Sequence, residues 1–167
     1  NGQTKFYNNG ITKNIITYKN DTLNGEYSSF DNNGNIELRR FYNEGKNNGI
    51  ETIFYKNGLV RQRVEYKNDT VNGLFESFYD DGNLNYRGKM YHKNYFDTLF
   101  VYHKSGNLLR KCYYKNGVIV GNLTSYYENG SVFSVMPYKN GMQHGSFTEF
   151  FSNGKLAQKG FYKYNYK

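Results

Sequence analysis

Apolar and polar residues alternate in short runs along this chain, and the alternation restarts every 24 residues. In the second such unit, Gly25 to Asp31 forms one alternating run, Asn32-Asn33-Gly34 interrupts it, and Asn35 to Tyr42 alternates again. A period of two predicts β-strands with one face apolar and the other polar. No stretch keeps apolar residues at i, i+3, i+4 and i+7 for several turns, so helix is not expected. Glycine sets the phase: Gly10, Gly34, Gly58, Gly82, Gly106, Gly130 and Gly154 stand 24 apart, and Gly25, Gly49, Gly73, Gly121 and Gly145 form a second comb, with Asp97 in the vacant slot. Aromatics keep step at Phe6, Phe30, Phe54, Phe78, Tyr102, Tyr126 and Phe150, and at Tyr18, Tyr42, Tyr66, Tyr114, Tyr138 and Tyr162. Self-similarity at such a period marks an array in which one supersecondary unit stacks on its neighbours.

Each unit is expected to hold two strands and two turns. Asn-Gly between strand-like runs signals a hairpin with a type I′ turn, which needs positive φ at both central residues. Asn9-Gly10, Asn33-Gly34, Asn57-Gly58, Asn129-Gly130 and Asn153-Gly154 carry that signal, and Asn43 to Asn48 stands as a longer loop. The fold class is therefore all-β: residues 1–167 form one array of seven hairpin units in an elongated, single antiparallel sheet. With about 13 or 14 strands at about 4.8 Å each, it would run roughly 65 Å and twist along its length.

Alternation assigns two faces. Ile36, Val60, Leu84, Leu108, Val132 and Leu156, with the Tyr column, are expected to form a buried ladder. The opposite face is led by Ile15, Arg39, Arg63, Arg87, Lys111, Val135 and Lys159, basic in five of seven units. Two readings fit that column: a solvated face that discourages sheet-to-sheet aggregation, or an electropositive surface that docks an acidic partner, where guanidinium can grip carboxylate bidentately. The fourth unit breaks pattern, with Met90 in the Tyr slot, Asp97 in the glycine slot, and Tyr91, Tyr95 and Phe96 added to its longer loop. It reads as a decayed repeat or as a specialised contact loop, since aromatics beside positive charge anchor interfaces.

Composition narrows the field. The 19 Tyr and 13 Phe, with no Trp and 37% hydrophobic residues, suit a thin sheet of aromatic ladders with little aliphatic core, and exclude disorder. A net charge of +8 keeps an acidic protein, nucleic acid and an anionic membrane surface in view as partners. The one cysteine, Cys112, excludes an internal disulfide framework and reads as a half-buried strand residue. There is no run of about 18 apolar residues to cross a membrane as a helix. The chain opens at Asn1, mid-repeat, so removal of a leader or tag is expected.

The run Tyr127-Glu128-Asn129-Gly130, followed by Tyr138-Lys139-Asn140-Gly141 and Gly145, and the run Tyr114-Lys115-Asn116-Gly117 with Gly121, resemble the MORN repeat (membrane occupation and recognition nexus). The resemblance covers the whole chain and is closer to the bacterial variant of YwqK-family antitoxins. It implies β-hairpins stacked into a grooved sheet, and it implies binding: bacterial members as antitoxin or immunity proteins that hold a cognate toxin, eukaryotic relatives through membrane lipids or protein assembly. The fourth unit departs from the pattern.

Catalysis is not expected, and neither is a cofactor or a metal. His92, His103 and His144 lie in different units and phases without metal-ligand spacing, and the glycines belong to turns rather than to a phosphate loop or nucleophile elbow. The expected function is a non-enzymatic protein-binding module of antitoxin or immunity type, with Arg39, Arg63, Arg87, Lys111, Tyr91, Tyr95 and Phe96 as contacts. A scaffold that binds anionic lipid or envelope components is the alternative. Nucleic acid is disfavoured because the aromatics are needed to pack the sheet. Open sheet edges leave oligomerisation available. Asp-Thr-apolar triplets at Asp21, Asp69 and Asp97 resemble O-glycosylation acceptors of exported Bacteroidota proteins and favour a bacterial envelope location.

Overall fold

The computed structural model describes residues 1–165. Strands and turns account for its regular structure, and the chain divides into two compact units, Asn1–Gly82 and Asn83–Lys167.

The first unit holds β1 (Gly2–Asn8), β2 (Ile11–Lys19), β3 (Thr22–Phe30), β4 (Ile36–Asn43), β5 (Lys46–Asn47), β6 (Gly49–Phe54), β7 (Val60–Lys67) and β8 (Thr70–Phe78). The second holds β9 (Leu84–Tyr91), β10 (Asn94–Tyr102), β11 (Leu108–Lys115), β12 (Val118–Tyr126), β13 (Val132–Lys139), β14 (Met142–Gln143), β15 (Gly145–Phe150) and β16 (Leu156–Tyr162). Within each unit the strands pair antiparallel in chain order, with β5 and β14 as short leads into β6 and β15. Each unit thus contributes seven neighbouring strands, the strand content that the 24-residue period predicts.

At every Asn-Gly turn expected to be of type I′ except Asn9-Gly10, the turn chemistry differs from the sequence expectation. In Asn33-Gly34, Asn57-Gly58, Asn129-Gly130 and Asn153-Gly154 only the glycine has positive φ. At Gly58, for example, the amide donates to the Tyr55 carbonyl at 2.9 Å while the Tyr55 amide donates to the Leu59 carbonyl at 2.8 Å. This is a type I turn closed by a glycine bulge, the usual three-residue hairpin. Two-residue turns with both central φ positive occur at Asn9-Gly10 and at the opposite ends of the strands: Asn20-Asp21, Glu44-Gly45, Asn68-Asp69, His92-Lys93, Asn116-Gly117 and Asn140-Gly141. The segment Asn43 to Asn48 is accordingly no long loop but the tight hairpin between β4 and β5.

Turns also bind their neighbours along each edge. Gly45 donates its amide to Leu23 and Asp69 to Asn47; in the second unit Gly117 donates to Tyr95, Gly141 to Ile119 and Asn165 to Gln143. On the other edge Asn57 Nδ2 donates to the Asp80 carbonyl at 2.7 Å, and Asn107 Nδ2 to that of Glu128 at 2.9 Å. These bonds satisfy turn carbonyls that a free hairpin would leave to water.

A single-layer sheet buries its centre line more than its alternate residues. The expected ladder of Ile36, Val60, Leu84, Leu108 and Val132 is half-buried, and Leu156 is 52% exposed. The deepest positions lie in a different row. Val64 pairs with Glu51 and Phe75, Leu99 with Cys112, and Phe147 with Gly160. Of these, Val64, Glu51, Leu99, Cys112 and Phe147 are buried. The missing side chains of Gly88 and Gly160 make room for Leu99 and Phe147: a Cβ on Gly160 would stand 2.6 Å from Phe147 Cε1.

Candidate binding face

The basic column forms in-register rows. In the first unit Lys5, Ile15, Ser28, Arg39, Thr52, Arg63 and Glu76 are successive cross-strand partners from β1 to β8. In the second, Arg87, Phe100, Lys111, Thr124, Val135, Thr148 and Lys159 are successive partners from β9 to β16. Strand alternation places these residues on one face of each unit.

The two rows differ in charge. Arg39 Nε lies 3.3 Å from Glu26 Oε1, and Arg63 Nη1 lies 3.5 Å from Glu76 Oε2. Arg63 also covers the Phe78 ring at 5.3 Å. Both arginines of the first-unit row are thus matched by carboxylates of their own face. Residues 1–82 carry 10 Lys and Arg against 11 Asp and Glu, a net charge of −1; residues 83–167 carry 12 against 3, a net of +9. The whole excess charge therefore belongs to the second unit. None of its three carboxylates stands in the row. Asp97 engages Lys89 at 3.1 Å, Glu128 lies in the turn after β12, and Glu149 accepts a hydrogen bond from Gln158 on the other face. Lys111 and Lys159 are exposed within the row. Tyr91, Tyr113 and Phe161, which alternate onto the same face, are exposed by 50%, 47% and 54%.

The structure brings part of the proposed aromatic cluster together. The segment from Tyr91 to Phe96 is not an irregular loop. Tyr91 ends β9, His92-Lys93 forms the two-residue turn, and Tyr95 and Phe96 lie in β10 opposite Met90 and Lys89. Tyr91 meets Phe96 edge-on at 6.5 Å and His92 at 4.1 Å. Tyr95 turns to the opposite face and packs on Tyr114 at 5.5 Å. Asp97 takes the positive φ that glycine supplies in the other units, with its carboxylate capping the Thr98 amide at 2.8 Å. Lys89 and the Thr98 contacts hold its pKa below the ordinary value.

Sequence reading missed an ion pair on the other face of the first unit. Arg40 Nη2 lies 2.8 Å from Glu51 Oε2, its Nη1 donates to Tyr42 Oη at 3.4 Å, and its guanidinium covers Tyr27 at 5.8 Å. Burial works against the Arg40 charge, but Tyr42 and Glu51 outweigh it and its pKa lies above the usual value. The signal was present as a 40/64/88/112 column, yet Arg, Val, Gly and Cys share no residue type by which to recognise it.

Burial pushes the Cys112 thiol pKa up, away from a reactive thiolate. Among the described residues no three His, Cys, Asp or Glu side chains gather as a metal site would need.

The model of a family described as MORN repeat variant matches six segments, residues 23–46, 47–68, 71–94, 98–116, 119–140 and 143–164. No curated protein matches the chain.

Proposed function

The chain belongs to the MORN repeat variant family, and from that premise we propose that it is a non-enzymatic binding module whose second unit docks an acidic protein, as an antitoxin or immunity protein of YwqK type would dock a toxin. Repeats of this family are generally protein- or lipid-binding modules, and in repeat arrays the function lives in surface residues rather than in the fold. The observation that carries the reading is the charge partition: +9 on residues 83–167 against −1 on residues 1–82. An excess of cations on a flat face speeds encounter with an acidic surface and rejects basic ones. The exposed aromatics between them supply the apolar area that charge alone lacks.

An anionic membrane is the second reading, favoured by exposed Tyr91, Tyr113 and Phe161 on the cationic face. One experiment separates the two. The chain is used as bait in cells that make it naturally, beside a variant with Arg87, Lys111 and Lys159 changed to Glu, and both are sedimented with vesicles of phosphatidylserine and phosphatidylcholine. A single protein retained one-to-one by the native bait and lost by the variant supports the antitoxin-type reading. Vesicle binding that falls steeply with salt, without such a protein, supports the membrane reading.

A further inference from the structure

We infer that the cleft at the tip of hairpin β9–β10 is the anchor pocket of the proposed interface, and that it accepts one aromatic side chain from an extended, acidic segment of the partner. The inference rests on the acidic-partner reading above.

The cleft measures about 540 Å³ and is lined by Tyr91, His92, Asn94, Tyr95, Phe96 and Asn116. Its aromatic character is peculiar to this hairpin. The place of Tyr91 is held by Lys19, Asn43, Lys67, Lys115 and Lys139 in the other repeats, and that of Phe96 by Asn24, Asn48, Asn72, Val120 and His144. Decay of a repeat would loosen its pairing, whereas β9 and β10 keep a two-residue turn and pair Tyr91 with Asn94, Tyr95 with Met90 and Phe96 with Lys89. The rings are thus mounted on an intact hairpin, and Tyr91 remains 50% exposed. An exposed, rigidly held ring pair offers an edge and a face to a third ring. The amides of Asn94 and Asn116 offer both donors and acceptors to the backbone of an entering segment.

Position selects the occupant. Tyr91 and Phe96 alternate onto the face that carries Arg87, Lys89, Lys111 and Lys115. Arg87 lies four residues back from Tyr91 on the same strand, about 14 Å at about 3.4 Å per residue. An extended partner segment that seats its ring in the cleft therefore brings a carboxylate about four residues away to Arg87 and Lys111. Lys89 is engaged with Asp97 at 3.1 Å, but both groups are exposed and that pair yields readily to a competing carboxylate.

The test uses fluorescence anisotropy with the full chain and two labelled nonapeptides, each with two acidic residues at either end and two glycines on each side of a central residue, phenylalanine in one and alanine in the other. The phenylalanine peptide is expected to bind about tenfold more tightly than its alanine twin. The double variant Tyr91→Asn, Phe96→Asn, which installs residues already used at Asn43 and Asn48 of the same fold, is expected to bind both peptides as the native chain binds the alanine one. Equal binding of the two peptides by the native chain overturns the pocket and leaves the acidic-partner reading intact. Binding of neither overturns both.

Discussion

Arg40 of β4 and Glu51 of β6 form a 2.8 Å ion pair in a row whose next member, Val64, is only 7% exposed. Glu51 is itself buried, with 8% of its surface exposed, so its charge depends on Arg40 for compensation. A buried carboxylate deprived of its cation is costly, while replacing both partners by apolar groups is often neutral or favourable.

Arg40→Met is therefore expected to destabilise the chain by about 2 kcal/mol, less than for a fully buried pair because the arginine keeps some contact with water. Arg40→Met with Glu51→Leu should recover most of that loss. Urea midpoints of the three proteins check it; a double variant weaker than the single one would deny that Glu51 needs its partner.

Glycine at the centre of the second unit makes a sharper prediction. A Cβ on Gly160 would meet Phe147 at 2.6 Å and 2.8 Å, and Phe147 is 1% exposed with no room to withdraw. At Gly88 the nearest atom is the Leu99 Cδ1 tip at 3.0 Å. Gly160→Ala is expected to cost about 1–3 kcal/mol, and Gly88→Ala clearly less, since a leucine tip turns aside. Thermal unfolding ranks the two; equal costs would contradict the crowding account.

Tyrosine ionisation should limit alkaline stability. Burial raises the pKa of Tyr66, with Glu51 adding to it, and burial likewise raises those of Tyr95 and Tyr114 above the ordinary 10.0. A pKa raised in the folded state gives stability that is complete below pH 10 and lost as pH climbs through the folded value. Absorbance at 295 nm is expected to show a late-ionising group of tyrosines that titrates with loss of far-ultraviolet dichroism. All 19 tyrosines titrating together near 10.0 with the fold retained would contradict it.

Strand number, pairing order, the shared face of Arg39 and Arg63 in the first unit and that of Arg87 and Lys111 in the second were legible because a period of two inside a period of 24 fixes which residues lie side by side. The turn types were not. Asn33-Gly34 and Asn116-Gly117 are the same dipeptide, yet the first is a type I turn with a bulge and the second has both φ positive. Strand registers at each end, rather than the dipeptide, decide between them. Burial was also misjudged, because alternation names a face and not a depth. In one layer, depth depends on how far a position lies from the turn edges and on the bulk beside it, as Gly160 under Phe147 illustrates. The charge partition could have been counted from the sequence, but it acquired meaning only once Arg39 and Arg63 were found beside Glu26 and Glu76.

That pairing makes the two rows unequal as targets for mutation. Lys111→Glu is expected to weaken partner binding about tenfold or more, mainly in the association rate and most strongly at low salt. Arg63→Glu, beside Glu76, should act chiefly on stability through like-charge repulsion, visible as a lower unfolding midpoint with affinity almost unchanged.

The central claim, that the cationic face of residues 83–167 is the docking surface, is tested most directly by measuring the affinity of the captured partner for two folded variants side by side: Arg87, Lys111 and Lys159 to Glu, and Arg39 and Arg63 to Glu. The account predicts a loss of about 100-fold or more for the first and a change within about threefold for the second. Equal losses, or a greater loss in the second, would contradict it.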